Sequence, residues 1–345
     1  MDEREYSNVS KQKLAQWEPL LSLIEKGSHF LITTHQFPDA DGIGASLAFI
    51  ELLNKLGKKT RFVCDSSMPQ KFRFLDEGRV FEEYNEMESY SEIEAVIIID
   101  THTKSRIGKV ASLFENSPKR PLGVIDHHPL REKIEGASVM DSDACSSAAL
   151  IWRLYHLLEV PLTKQAMQGI YAGVVWDTGR FCYTSTTLES HEIAKESLRL
   201  GVDPTNVYSH LYQHVSYEQF TVFAHAIERV ETYCDHRIIV QQILHADYEE
   251  MGEKSTEIEQ MDFESIHEFN KLIHEVEVVV LLSEQLDGSI RISLRSKTDL
   301  DVSKVVEPLG GGGHRKAAGA LWKGSIDDAK THILELLFPL MDRNT

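Results

Sequence analysis

Short apolar runs alternate with amphipathic stretches along the first half of the chain. Residues 10–26 carry helical spacing, residues 29–34 form an apolar strand, 42–56 a helix and 60–64 a second strand. A strong strand follows at 95–99, then a helix at 105–114 and a strand at 122–125. Two more helices are predicted at 146–159 and 163–175. Strands alternating with helices predict an α/β domain, a parallel sheet flanked by helices, here spanning residues 1–188. The pattern over 189–229 is helical and predicts a connector. Beyond it the period changes to strands at 237–243, 276–284 and 289–295, closed by a helix at 327–339. That ending predicts a smaller α+β domain over 230–345, with the acidic stretch 249–268 as a solvated helical surface.

Composition narrows the function. The 345 residues are 42% hydrophobic and 26% charged, which suits a soluble protein with full cores. Unbroken apolar runs such as 95–99 and 278–282 reach five residues, against about 20 for a bilayer-spanning helix. No membrane span is expected. The N-terminus lacks the apolar centre of a secretory signal. Cys64, Cys145, Cys182 and Cys234 are scattered without a C-x-x-C pair. They are expected to be small buried hydrophobes in a reducing, cytoplasmic protein rather than a disulfide framework or a zinc ribbon. The net charge of −18 carries no basic block, which disfavours long duplex nucleic acid as a partner. A small anionic substrate remains open, because a few cations reverse the field inside one cleft. Oligomeric state is left open, a homodimer included.

Three predicted strands end in groups that bind cations. The first runs into His35 and Asp39-Ala40-Asp41, the second ends at Asp100, and the third ends in Asp126-His127-His128. A fourth acid, Asp177, follows the apolar run 172–176. In open α/β sheets ligands sit at the carboxyl ends of strands, so these groups are expected on one rim. Each alone reads as a helix cap or a surface pair; four together do not. His35, Asp39, Asp41, Asp100, His127 and Asp177 supply donors for two divalent ions, the pair that clamps a phosphoryl displacement. Imidazole beside carboxylate favours Mn²⁺ or Fe²⁺ over Ca²⁺ or Mg²⁺.

In the second domain the strand 289–295 alternates, with Ile290, Ile292 and Leu294 on one face and Arg291, Ser293 and Arg295 on the other. Two arginines and a serine on one face suit a phosphate. Four glycines at 310–313 precede His314-Arg315-Lys316 and let backbone N–H groups approach an anion. The run fits neither a P-loop nor a dinucleotide fingerprint.

These motifs together resemble the DHH phosphoesterases with a DHHA1 domain, in their nanoRNase/pAp-phosphatase branch. The matches are Thr-His-Gln-Phe-Pro-Asp-Ala-Asp-Gly-Ile-Gly at 34–44, Ile-Ile-Asp-Thr at 98–101 with Arg106, Ile-Asp-His-His-Pro at 125–129 and Asp-Thr-Gly-Arg-Phe at 177–181. In the second domain they are Arg-Ile-Ser-Leu-Arg-Ser-Lys at 291–297, Asp-Val-Ser at 301–303 and the glycine run through 319. Gln36-Phe37 and Val305-Val306-Glu307 depart from the family pattern.

The resemblance implies that Asp100 bridges two ions, with His35 and Asp39 completing one site and Asp41, His127 and Asp177 the other. It implies that His128 meets the scissile phosphate or donates a proton, and that Asp126 orients a neighbouring imidazole. Arg291, Arg295, Ser296, Gly311, Gly312, Gly313, His314 and Arg106 are the implied substrate-binding residues. The implied reaction is two-metal hydrolysis, most simply with Mn²⁺, of di- to pentaribonucleotides and of 3′,5′-bisphosphonucleosides such as pAp. A cleft between domains would set the length limit. Cyclic dinucleotides or the linear products pApA and pGpG are the nearest competing substrates. A DNA exonuclease would need binding surface for which little length remains. A pyrophosphatase or polyphosphatase is disfavoured by the DHHA1-like ending. A nucleotide-binding sensor without turnover is the non-enzymatic alternative, and the complete donor set argues against it.

Overall fold

The computed structural model describes residues 3–115, 120–130, 136–249 and 264–341. The chain divides into two compact units, Met1–His214 and Val215–Thr345.

In the first unit the elements are α1 (Glu3–Lys26), β1 (His29–Thr33), α2 (Ala40–Lys55), β2 (Lys59–Cys64), β3 (Phe81–Glu83), β4 (Ala95–Ile99), α3 (Ser112–Glu115), β5 (Leu122–Asp126), β6 (Ala137–Met140), α4 (Ser147–Leu157), α5 (Lys164–Asp177), α6 (Leu188–Arg199) and α7 (Pro204–Tyr212). Its six strands are all parallel, in the order β3-β2-β1-β4-β5-β6. Both faces are covered, as a parallel sheet requires. Phe30, Ile32, Ile97 and Ile99 point to the face packed by α1, α2, α4 and α5. The alternate residues Leu31, Val96, Ile98 and Val124 pack against Ile107, Val110 and Phe114 on the other.

The second unit holds α8 (Tyr217–Glu228), β7 (Glu231–Tyr233), β8 (Ile238–Ile243), α9 (His245–Glu249), α10 (Glu264–Asn270), β9 (Val278–Glu284), β10 (Ile290–Ser296), α11 (Val302–Val306), β11 (Gly312–His314), β12 (Ala317–Trp322) and α12 (Ile326–Met341). The sheet order is β11-β12-β10-β9-β8-β7, antiparallel except for the β8–β9 pair. Residues from α11 and α12 pack on one face of this sheet, and residues of α8, α9 and α10 on the other. The helices expected as a connector are divided, α6 and α7 falling in the first unit and α8 in the second.

The helix expected at 105–114 is instead a 3₁₀ segment, Lys104–Ala111, broken at Gly108, followed by the short α3. Gly108 has φ 58°, and a Cβ there would overlap the Asp65 carboxylate, so the chain must turn where the apolar period alone predicted a continuous helix. Strands β3, β6, β7, β11 and β12 were not evident in the apolar pattern. Several are short, and β11–β12 is mostly glycine and alanine, whose place in a ladder comes from pairing rather than propensity. Cys64 and Cys145 are buried as expected, whereas Cys182 is exposed. The predicted surface at 249–268 lies mostly outside the described residues, which resume with α10. Among the described residues no helix is long and apolar enough to cross a membrane.

Helices α2 and α5 approach through Gly44 and Gly169, where a Cβ on Gly169 would stand 2.7 Å from the Gly44 carbonyl oxygen and one on Gly44 would overlap that of Gly169. This backbone contact fixes the end of α5, which carries Asp177. Gly44→Ala is expected to lower unfolding stability by about 1–3 kcal/mol, read as a lower urea midpoint at unchanged slope. An unchanged midpoint would mean that the two helices separate freely.

Candidate metal centre

The strand order reverses direction at β1 and β4: the chain proceeds from β1 outward to β2 and β3, and from β4 outward to β5 and β6. A crevice opens at such a switch point, at the carboxyl ends of the strands. His35 and Asp39 follow β1, Asp100 follows β4, and Asp126-His127-His128 end and follow β5.

Each carboxylate is fixed by the fold. Asp39 is the N-cap of α2, and its Oδ1 accepts the N–H groups of Asp41 and Gly42, both at 3.0 Å. Its Oδ2 is left facing His35 Nε2 at 3.7 Å. Asp41, fully buried in the first turn of α2, accepts the Ser147 and Ala148 N–H groups at 2.7 and 2.9 Å. Those amides are the N-terminus of α4, whose dipole favours an anion. Asp100 adopts φ 65°, a left-handed turn that aspartate tolerates better than most residues. Its N–H still donates to Ile125 O at 2.9 Å, and the Ser147 hydroxyl donates to its Oδ1 at 2.9 Å. Asp177 is the last residue of α5. An acid at the negative end of a helix opposes the dipole, a placement that favours a cation and not the helix.

The side chains converge. Asp100 Oδ2 lies 3.4 Å from His35 Nε2, while its Oδ1 lies 3.5 Å from His127 Nε2 and 3.8 Å from His128 Nδ1. His127 Nε2 also stands 3.0 Å from Asp177 Oδ2 and 4.0 Å from Asp41 Oδ2. Three donor sets form in this way, each able to hold a cation: His35, Asp39 and Asp100; Asp41, Asp100, His127 and Asp177; Asp100, His127 and His128. Asp100 belongs to all three. His35 Nδ1 lies 2.8 Å from the Gln36 carbonyl oxygen, which only accepts, so Nδ1 carries the proton and Nε2 turns to the carboxylates.

The electrostatics point the same way. Burial, then the charges of Asp100 and Asp177, push Asp41 well above the usual carboxylate range, and burial with Asp39 and Asp100 lifts Asp177 to about 6 against the pull of His127. Burial alone would depress His35 and His127, but the adjoining carboxylates outweigh it and raise both to about 11. Asp39 is held down at about 2, since His35 and the two α2 amides outweigh its burial. Without a cation the cluster keeps imidazolium protons, and metal and proton compete for the same lone pairs. The Thr34 hydroxyl is buried against Gly42, which the Asp100 carboxylate also adjoins, and has no hydrogen-bond partner among the described residues. An orphaned buried hydroxyl beside crowded carboxylates fits a site completed by a cation and its water. The donors are nitrogen and oxygen only, which suits the harder divalent metals.

One residue escaped the sequence reading. His102, two positions after Asp100 and buried, has its Nδ1 2.6 Å from Asp126 Oδ2. Asp126 Oδ1 lies 2.8 Å from His128 Nδ1, so a fully buried carboxylate joins two imidazoles. Burial alone would raise Asp126, but His128 and His102 outweigh it and lower it. The only advance signal was a third imidazole near a strand end, in Asp100-Thr101-His102.

The other predicted residues fall in both units. The Arg106 carbonyl accepts the Gln36 N–H at 2.6 Å, beside the β1 loop. In the second unit Arg291, Ser293 and Arg295 do share the face opposite Ile290, Ile292 and Leu294. Arg295 donates to Leu294 O at 3.1 Å. Ser296 falls on the inward face and donates to Thr298 O at 2.9 Å. In the glycine run, a Cβ on Gly311 or Gly313 would collide with β12, whereas Gly312 faces open space. Arg315 donates to Asp299 O at 2.7 Å, and Lys316 to Thr298 O. Both therefore pin the neighbouring loop. The His314 side chain lies outside what the structure describes.

Residues 29–174 match the DHH family N-terminal domain and residues 238–338 the DHHA1 domain. The chain belongs to the DHH family of phosphoesterases. The bifunctional oligoribonuclease and PAP phosphatase NrnA of Thermus thermophilus is 28% identical to this DHH protein, over 88% of this chain and 87% of its own. The cyclic-di-AMP phosphodiesterase GdpP of Geobacillus thermodenitrificans is 25% identical over 92% of this chain and 48% of its own. An exopolyphosphatase-related protein from Bacteroides fragilis shares the fold, with a TM-score of 0.86 over 95% of this chain and 98% of that one, at 22% identity.

Saturating Mn²⁺ is expected to raise the melting temperature of the chelator-treated protein by several degrees, since a ligand of the native state stabilises it by mass action. Asp100→Ala should abolish that rise. A parent protein that melts at the same temperature with and without Mn²⁺ would show that the cluster holds no cation.

Proposed function

We propose that this DHH protein hydrolyses short oligoribonucleotides and 3′,5′-bisphosphonucleosides such as pAp with two divalent ions, most simply Mn²⁺. The observation that carries the reading is the split of Asp100, whose two oxygens face two separate histidine–carboxylate groups. His35 and Asp39 would hold one ion, and Asp41, His127 and Asp177 the other, with Asp100 common to both. Bound ions supply Lewis-acid polarisation of the phosphoryl group and activation of water. The similarity to an oligoribonuclease and PAP phosphatase over most of both chains supports the substrate class.

The protein's own groups do the rest. Asp126 holds His128 by Nδ1 and leaves its other nitrogen free to give a proton to the leaving oxygen. His102 closes on the second oxygen of Asp126 and keeps that carboxylate from turning. Ser147 and the α4 amides hold Asp100 and Asp41 in place before substrate arrives. Arg106, half-buried beside the β1 loop, is the candidate for a substrate phosphate. Arg291, Arg295 and the open Gly312 are the candidates for the non-reacting end of the nucleotide.

A Mn²⁺-dependent panel tests the reading: pAp, pApA, a pentaribonucleotide, a long RNA, cyclic di-AMP and pyrophosphate. Turnover of pAp and the short oligonucleotides, with the long RNA and pyrophosphate left intact, is expected. Cyclic di-AMP as the preferred substrate would move the protein toward the activity named for the Geobacillus relative, and tight binding without turnover would make it a sensor. Asp100→Asn should reduce kcat about a thousandfold. Arg295→Ala should instead raise KM with little change in kcat; an unchanged KM would remove that strand from recognition.

A further inference from the structure

The loop between His35 and Asp39 presents a side chain that the proposed chemistry does not use. Phe37 is 82% exposed, and its backbone is left-handed, with φ 52°. The ring gains nothing from burial, and the backbone opposes folding, since a bulky residue occupies a region that favours glycine. Pro38 follows, which further disfavours anything but extended backbone at position 37.

The conformation is nevertheless held from several sides. The Phe37 N–H donates to Ser66 Oγ at 2.7 Å. The preceding Gln36 donates its N–H to Arg106 O at 2.6 Å and its side-chain amide to Asp65 Oδ2 at 2.5 Å. The Gln36 carbonyl accepts from His35 Nδ1 at 2.8 Å. Gly108 leaves the room that this cluster needs, since a Cβ there would sit 2.5 Å from Gln36 Nε2. The loop is short, and both of its ends belong to the donor cluster, with His35 Nε2 and Asp39 Oδ2 3.7 Å apart. Phe37 Cα is two residues from each, no more than about 7 Å along the chain.

We propose that Phe37 is a nucleobase-stacking platform that sets the preference for base-bearing substrates at the metal centre. This rests on the nucleotide-hydrolase reading above. An exposed aromatic face on a restrained backbone, close along the chain to the donor cluster, offers a base its π surface without hydrogen-bond readout, and so accepts any base. The ligand class is a nucleoside phosphate whose base lies against the ring while its phosphate meets the cluster. Ser66 is a positioning residue, acting through the Phe37 N–H.

The test is calorimetric binding of AMP and of ribose 5-phosphate, in Mn²⁺, to the parent and to Phe37→Ala, Phe37→Trp and Ser66→Ala. The parent is expected to prefer AMP. Phe37→Ala should weaken AMP about 5- to 150-fold, the range of one base–aromatic stack, and leave ribose 5-phosphate unchanged. Phe37→Trp should retain the AMP affinity, and Ser66→Ala should lose part of it. No preference for AMP in the parent, an unchanged AMP affinity in Phe37→Ala, or equal loss of both ligands would overturn the proposal. A base-dependent loss in Phe37→Ala without turnover of any nucleotide would leave the platform standing and defeat the hydrolase reading instead.

Discussion

Asp41, Asp100 and Asp177 share one largely buried patch with no lysine or arginine paired to them among the described residues. Two like charges about 4 Å apart repel by about 4 kcal/mol at an effective dielectric of 20, and burial adds to that. The rest of the first unit can be understood as what holds such a patch together. The N-terminus of α4 is aimed at Asp41, Ser147 restrains Asp100, and His35 and His127 stand between the acids. The glycine contact between α2 and α5 brings Asp177 to the same place from the far end of a helix. Protons on His35 and His127 offset this repulsion, and a divalent cation would take their place.

Much of this was legible in the chain because a parallel sheet turns local pattern into position. An apolar run followed at once by His35, Asp100 or Asp126 marks a strand end, and strand ends in an open parallel sheet share one rim. The same logic separated the two faces of β10. What stayed hidden depends on long-range pairing. Edge strands β3 and β6 carry no apolar run. The break at Gly108 answers to Asp65, more than forty residues earlier. His102 is indistinguishable from a surface histidine until Asp126 is brought against it.

The glycine run shows a motif divided between two tasks. Gly311 and Gly313 are needed because β12 passes too close for a Cβ, which is a packing reason. Gly310 and Gly312 open outward. Arg315 and Lys316 spend their donors on the carbonyls at 298–299. Cationic side chains behind a glycine loop therefore do not add up to an anion site by proximity in sequence. In a chain of net charge −18 each cation's own partners decide whether it is available to a phosphate, and Arg106 and Arg295 must be weighed one by one.

The individual carboxylate oxygen is the smallest unit at which fold and chemistry separate. In Asp39 one oxygen caps α2 and the other faces His35. In Asp126 one oxygen meets each of two imidazoles, and in Asp100 the two oxygens face different donor groups. Cap and candidate ligand are thus not competing interpretations of one aspartate, because the planar group can serve both through different lone pairs. The consequence is rigidity. A carboxylate already bonded through one oxygen cannot rotate the other away when a neighbour repels it, so the repulsion is met by protons and not by rotation. Preorganisation of this kind puts the energetic burden on folding, before any substrate is bound.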